Sequence, residues 1–252
     1  MITGASSGIG AATAILFARF GAKLSLSGRN EVNLKGTCEE CVRVRPDDTE
    51  QPLMVLAELT SEADVINLVD TTIKKFGRLD ILVNNAGTCE FGGIESTSLE
   101  QYDRMMNVNA RSVYHLMTLC IPHLIETRGN IVNVSSVCGT RSMQRMIAYS
   151  MSKSALDQLT RCAALELASK GVRVNSVNPG AIVTAIYKQV GLSEEEYAKI
   201  MEYSKEIYPL GRVGDPEEAA HAIAFLAADS ASFITGEHIH LDGGFHATTS
   251  AR

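Results

Sequence analysis

The chain has 252 residues, of which 45% are hydrophobic and 21% charged, enough to bury a full core and to exclude disorder, coiled coil and collagen. Lysine and arginine number 23 against 29 aspartates and glutamates, a net charge of −6, and no basic block occurs, so no nucleic-acid partner is expected. No apolar run approaches the ~18 residues of a membrane span and no basic-then-apolar leader opens the chain, so a cytoplasmic location is expected.

The chain opens on Met1-Ile2-Thr3 and runs at once into a glycine cluster, which leaves room for only a very short first strand. Typical strands run about five to six residues, so the expectation is that a few leading residues are missing, with an unusually short strand as the alternative. Apolar runs at 23–27, 53–57, 79–83, 130–135, 172–177 and 238–241 then read as strands. Amphipathic stretches at 9–20, 31–43, 62–76, 99–124, 148–169 and 216–227 read as the helices between them. Capping patterns open several helices: Ser61-x-x-Asp64, Ser98-x-x-Gln101, Ser193-x-x-Glu196 and Asp215-Pro216-x-Glu218.

Strands alternating with helices imply right-handed crossovers. The expected fold is α/β, a Rossmann-type doubly wound parallel sheet of about seven strands with helices on both faces. Neither linker nor repeat interrupts it, so one domain is expected over 1–252. Six cysteines without framework spacing point to reduced thiols. Cys38 and Cys41 form a C-x-x-C, but no second pair or histidines follow at ligand spacing, and a helix surface is the expectation.

Three clusters carry chemistry. Thr3-Gly4-Ala5-Ser6-Ser7-Gly8-Ile9-Gly10 closes a strand and opens a helix. Its glycines allow a tight turn and close backbone approach to a pyrophosphate, and the helix N-terminus offers free N–H groups. The second strand ends in Ser27-Gly28-Arg29-Asn30, without the acid that NAD-preferring sites place there for the ribose hydroxyls. Arg29 is able to pair with a 2′-phosphate, so NADP(H) is the preferred cofactor and NAD(H) the alternative. In the third cluster, Tyr149 and Lys153 stand at i and i+4 on one helix face. A cation beside a phenol favours the phenolate, which suits a tyrosine that protonates a carbonyl oxygen or deprotonates an alcohol.

Together these motifs make the chain resemble the short-chain dehydrogenase/reductase superfamily, in its single-domain branch of about 250 residues, with a look often called 3-oxoacyl-carrier-protein reductase-like. The resemblance runs from Thr3 to Gly244 and rests on the glycine loop, Asn84-Asn85-Ala86-Gly87, Asn107-Val108-Asn109-Ala110, Val134-Ser135-Ser136-Val137, Tyr149-x-x-x-Lys153 and Pro179-Gly180-x-x-x-Thr184. It implies Asn109, Ser136, Tyr149 and Lys153 as the catalytic residues; Ser136 is preferred to Ser135 because the family places its serine thirteen positions before the tyrosine. Ser136 would orient the substrate oxygen, Tyr149 transfer the proton, Lys153 bind the nicotinamide ribose and lower the tyrosine pKa, and Asn109 help hold a relaying water.

The cofactor would meet Gly4, Ser6, Ser7, Gly8, Ile9, Gly10, Arg29, Asn30, Glu58, Leu59, Asn85, Ala86, Gly87, Tyr149, Lys153, Pro179, Gly180, Ile182 and Thr184. One departure stands out: Glu58 occupies a position near the adenine where the family usually has aspartate. The family also assembles through the 99–124 and 148–169 helices and the 216–241 region, which implies a homotetramer, with a dimer as second choice.

The 185–212 segment lies where the family builds a substrate lid, and Ile186, Tyr187, Val190, Leu192, Tyr197, Ile200, Met201, Tyr203, Ile207 and Tyr208 make it apolar. With Met143 and Met146 before the tyrosine, it favours a small apolar carbonyl or alcohol substrate. Arg141 and Arg145 are the two arginines of the 138–149 loop that could face a substrate carboxylate, solvent or an acyl-carrier partner. Cys138 reads as a small buried hydrophobe. His238, His240 and Asp242 alternate along one strand, but a strand-end turn explains them and no metal is expected.

The expected function is an NADP(H)-dependent oxidoreductase interconverting a ketone or aldehyde and an alcohol. An NAD-linked alcohol dehydrogenase is the alternative, and a non-catalytic cofactor-binding regulatory protein the alternative of another class.

Overall fold

A computed structural model of the chain describes residues 1–184, 186 and 192–249. Seven strands form one parallel sheet in the order β3-β2-β1-β4-β5-β6-β7: β1 Ile2–Thr3, β2 Ser25–Gly28, β3 Leu53–Leu56, β4 Ile81–Asn84, β5 Asn130–Val134, β6 Arg173–Pro179 and β7 His238–Leu241. The order reverses at β1 and β4, which opens a crevice beyond their carboxyl ends.

β1 pairs on both sides despite its two residues, Ile2 with Leu26 of β2 and with Val83 of β4. The Val83 N–H donates to the Met1 carbonyl at 2.9 Å, which extends the pairing by one residue.

Adjacent strand residues point to opposite faces, and the sheet is covered on both. On one face, helices α1 (Gly8–Arg19), α2 (Glu31–Val44) and α8 (Pro216–Ala227) bury Phe17, Leu34, Ile223 and Leu226 against Ile2, Leu26, Val83 and Val132. On the other, α3 (Glu62–Phe76), α5 (Ser112–Thr127) and α6 (Ile147–Leu167) bury Leu68, Leu116 and Leu156 against Leu82, Ile131 and Val174. A third cluster, of Cys89, Met105, Val137, Cys138, Tyr149, Met201, Ile207, Tyr208 and Phe245, closes the carboxyl end of the sheet; Met201 and Ile207 belong to α7 (Glu194–Ile207) and Met105 to α4 (Leu99–Met106).

The caps behave as their residues require, with two variations. Ser193 and Glu196 form a reciprocal capping box, and the Glu218 carboxylate accepts from the Asp215 N–H at 2.9 Å. Ser98 accepts from Gln101 N–H, but the Gln101 side chain donates instead to Phe91 O. Ser61 likewise accepts from Asp64 N–H, while Asp64 accepts from the Glu58 N–H and so fixes the end of β3.

Several boundaries differ from the sequence pattern. β6 runs on through Asn178 and Pro179, because these pair with His240 and Leu241, a partner no local pattern reveals. β2 and β4 begin two residues later than their apolar runs. The helical stretch expected over 99–124 is interrupted by a π-turn at Asn107–Arg111.

Candidate active site

A cleft of about 370 Å³ opens at the carboxyl end of the sheet, where β1 and β4 diverge. Its floor is the glycine loop. A Cβ on Gly4 would stand 2.8 Å from Ala86 Cα, and one on Gly8 would stand 3.0 Å from Thr184 Cγ2. Both glycines have positive φ, so shape and backbone conformation exclude side chains there. Beneath the loop, Thr3 Oγ1 accepts from the Asn85 and Ala86 N–H groups, each at 3.1 Å, and Asn85 Nδ2 donates to Thr3 O at 2.9 Å. The loop and the 84–87 turn are thereby one unit.

Helix α1 begins at Gly8 with no side-chain cap on Ser7 and no acid in its first turn, so its leading N–H groups and positive dipole end face the cleft. These features fit the pyrophosphate of a dinucleotide. Seventeen of the nineteen expected cofactor positions line the cleft, Gly10 and Asn30 being outside it.

Gly10 acts from behind. A Cβ there would meet Gly4 O at 2.3 Å, so it sets how closely α1 packs on the loop. Asn30 is the N-cap of α2: its Oδ1 accepts from Asn33 N–H at 2.9 Å. Gly28 lines the cleft opposite Ser6, and a Cβ on it would come within 3.1 Å of Ser6 Oγ. Beside it Arg29 Nη1 donates to Glu58 Oε2 at 3.2 Å. Burial works against the Glu58 carboxylate, but the Thr60 N–H and Arg29 together hold its pKa below the usual value.

At the other end of the cleft stand Ser136, Tyr149 and Lys153, exposed by only 7%, 8% and 4%. Ser136 follows β5 and caps a short 3₁₀ turn, with its Oγ accepting from Cys138 N–H at 3.2 Å. Ser135 turns away, donating to Lys153 O at 3.3 Å. Lys153 donates to Val134 O at 2.9 Å, and its Nζ lies 5.9 Å from the centre of the Tyr149 ring. Burial lowers its pKa from 10.5 to about 8.

Asn109 sits in the π-turn, fully buried and outside the cleft lining. Its Oδ1 accepts from Thr88 N–H, and its Nδ2 donates to Thr88 O and Ser152 Oγ. The side-chain amide thus ties the strand-end turn to α6, and π-turns of this kind are common at functional sites.

The substrate end is apolar. Cys89, Phe91, Cys138, Met143, Met146, Ile186, Ile200, Tyr203, Ile207 and Tyr208 line it, whereas Tyr187 and Val190 lie outside the described residues. Tyr208 Oη accepts from Ala181 N–H at 2.6 Å, and burial pushes its pKa up to about 12.

Neither loop arginine reaches the cleft. Arg141 lies 4.1 Å over the Phe245 ring and donates to Phe245 O and to Thr248, while Arg145 is exposed. Among the described residues, Lys153 and Arg29 are the cations that line the cleft.

The strand histidines have protein partners: His240 Nε2 pairs with Thr140 Oγ1, and His238 Nδ1 with Ser176 Oγ. No group of three or more metal-ligating side chains occurs among the described residues, and all six cysteines are unpaired thiols. No helix among the described residues is long and apolar enough to cross a membrane.

Residues 4–246 match a family model described as enoyl-(acyl carrier protein) reductase. The chain is 36% identical to the 3-oxoacyl-[acyl-carrier-protein] reductase of Thermotoga maritima, covering 97% of this chain and 96% of that one. It is 38% identical to a glucose 1-dehydrogenase of Gluconobacter oxydans, covering 97% and 90%. Among solved structures, a short-chain dehydrogenase/reductase of Caenorhabditis elegans with bound cofactor superposes with a TM-score of 0.91 at 35% identity, covering 99% and 95%. Levodione reductase does so with 0.92 at 32%, covering 98% and 96%. The chain therefore belongs to the short-chain dehydrogenase/reductase superfamily and is an NAD(P)-dependent oxidoreductase acting on CH–OH groups.

Proposed function

We propose that the protein is an NADP(H)-dependent reductase of small, neutral, apolar ketones or aldehydes, working reversibly on the corresponding alcohols. The observation that carries the reading is that Ser136, Tyr149 and Lys153 line the same cleft as the glycine loop, at its apolar end. The Ser136 hydroxyl donates to the substrate oxygen and holds it against the Tyr149 hydroxyl, which gives up its proton as the carbonyl carbon is reduced. Lys153 binds the nicotinamide ribose and stabilises the phenolate left behind. When bound, the nicotinamide supplies the hydride from its C4. Thr184 and the backbone at Ile182 hold the carboxamide, and α7 covers the substrate.

A neutral substrate is favoured because Arg141 is engaged by Phe245 and Thr248 and, among the described residues, no other arginine lines the substrate end. NADP(H) is favoured because Gly28 and Arg29 leave the ribose edge of the cleft without a carboxylate of its own; Glu58, paired with Arg29, keeps NAD(H) as the alternative. The proposed assembly is a homotetramer. Tyr114 on α5, Met151 and Leu165 on α6, and Phe225 and Phe233 before β7 expose large apolar surface that a partner copy would cover. Light scattering should give a tetramer, and a stable monomer at micromolar concentration would contradict it.

Turnover of a panel of neutral diketones and the matching hydroxyketones, with NADPH and NADH, tests the function. Reduction with NADPH favoured is expected. No turnover with either cofactor would leave the regulatory reading standing, and a preference for NADH in oxidation the alcohol-dehydrogenase reading.

A further inference from the structure

Tyr149 and Lys153 are followed on the same face of α6, four residues on, by Asp157. The residue is 1% exposed, and both carboxylate oxygens accept from Asn178 Nδ2, at 3.2 and 3.0 Å. The same Asn178 nitrogen donates to Ser136 O at 3.1 Å. Gly139, in the turn that Ser136 caps, lies so close that a Cβ on it would meet Asp157 Oδ2 at 2.2 Å. One carboxylate therefore seats the Ser136 turn from two sides.

The charges around it are few. His238, on β7, has Nδ1 3.7 Å from Asp157 Oδ1. Ser176 Oγ spends its hydrogen on Asn178 Oδ1 at 2.7 Å, so the 2.5 Å contact with His238 requires Nδ1 to donate. Arg161, from α6, approaches His238 Nε2 at 2.8 Å and can only donate, which makes Nε2 the acceptor and the ring neutral. Burial and Arg161 also disfavour its charged form, against Glu237 and Asp157; His240 is the remaining neighbour.

Among the described residues, no lysine or arginine nitrogen lies within ion-pair distance of Asp157, so a buried anion and the buried ammonium of Lys153 face each other one helical turn apart. The other groups that act on Lys153 are the Cys89 and Cys138 thiols. Burial pushes Cys89 up to about 12 and raises Cys138 as well, so both are neutral at working pH and carry no charge to offer.

We propose that Asp157 is a positioning residue of this reaction: it seats Ser136 through Asn178 and Gly139, and its negative charge keeps Lys153 an ammonium beneath Tyr149. The proposal rests on the roles given above to Ser136, Tyr149 and Lys153. Its sign follows directly. Without the carboxylate, burial acts on Lys153 unopposed, the ammonium is lost at lower pH, and the high-pH limb of turnover moves down.

The test is the pH profile of kcat for carbonyl reduction at saturating NADPH, for wild type, Asp157→Asn and His238→Lys. In Asp157→Asn the limb should fall by about one pH unit and kcat at pH 8 by about fivefold. His238→Lys puts a fixed cation beside Asp157 at a half-buried site, and should move the limb the same way by about 0.3 unit. A purely structural role would lower kcat at every pH with the limb in place. Limbs that superimpose on the wild type in both variants would overturn the proposal. Should Asp157→Asn fail to fold by circular dichroism, His238→Lys decides alone: a downward shift supports, and an unmoved limb overturns. Tyr149→Phe run beside them isolates the parent reading, which fails if that variant still turns over.

Discussion

A charged pair stands at or behind each end of the cleft, and the two behave as opposites. At the adenosine end, Arg29 and Glu58 form a direct ion pair at 3.2 Å with side chains 65% and 41% exposed. At the reacting end, Lys153 and Asp157 make no such contact, yet they are 4% and 1% exposed. Solvent-exposed pairs contribute about 0–1 kcal/mol because water screens them. Buried charges are screened far less, so their separation matters less than their isolation from water. The lesson is that contact distance ranks these two pairs the wrong way round: on the proposed function, the exposed pair would adjust cofactor preference by small factors, and the buried one would govern a protonation state on which turnover depends.

Changes at the buried end should therefore cost most. Lys153→Met removes the ammonium and the ribose contact, and kcat/KM for reduction should fall by about 100- to 1000-fold; a loss under about tenfold would mean the lysine charge is dispensable.

The same lysine has a signature in stability. Its folded pKa of about 8 lies below the 10.5 of the free side chain, so the unfolded chain binds more protons between those values and stability rises with pH across the window. The folded state bears the cost of a buried ammonium below pH 8. Urea denaturation should show the wild type behind Lys153→Met below pH 8, with the gap closing between pH 8 and 10.5. A gap independent of pH would contradict the burial argument.

The exposed end should respond more weakly. Arg29→Ala should lower kcat/KM for NADPH by about tenfold, a loss of roughly 1.4 kcal/mol, and leave NADH nearly unchanged. Smaller still, Glu58→Gln frees Arg29 and should raise the NADPH-to-NADH ratio of kcat/KM by about two- to fivefold. An unchanged ratio would show that the ion pair plays no part in cofactor choice. Gly28→Asp is a poorer probe of the same edge, because its Cβ must displace Ser6 before the carboxylate exerts any effect.

Much of this was legible in the sequence because period and punctuation are local. The alternation of strands and helices, the glycine loop and the i, i+4 spacing of Tyr149 and Lys153 all lie within short windows. What escaped depends on partners distant along the chain. Asn109 has an expected role through the family resemblance, but the π-turn that holds it and its bonds to Thr88 and Ser152 are invisible locally. Asn30 sits beside Arg29 in sequence, but capping α2 turns it away from the cleft. Arg141 could not be assigned without knowing that Phe245, more than a hundred residues later, returns beneath it. Asp157 had a signal, the third residue in the spacing that begins at Tyr149 and Lys153. Its meaning needs Asn178 and Gly139, which come from β6 and the turn after β5.

Tyr149→Phe tests the central claim most directly, since it removes one hydroxyl and keeps the ring in its buried seat. Kinetics of diketone reduction with NADPH should show kcat reduced by at least about 100-fold, with the dissociation constant for NADPH nearly unchanged. A phenylalanine variant that turns over at close to the wild-type rate would contradict the account.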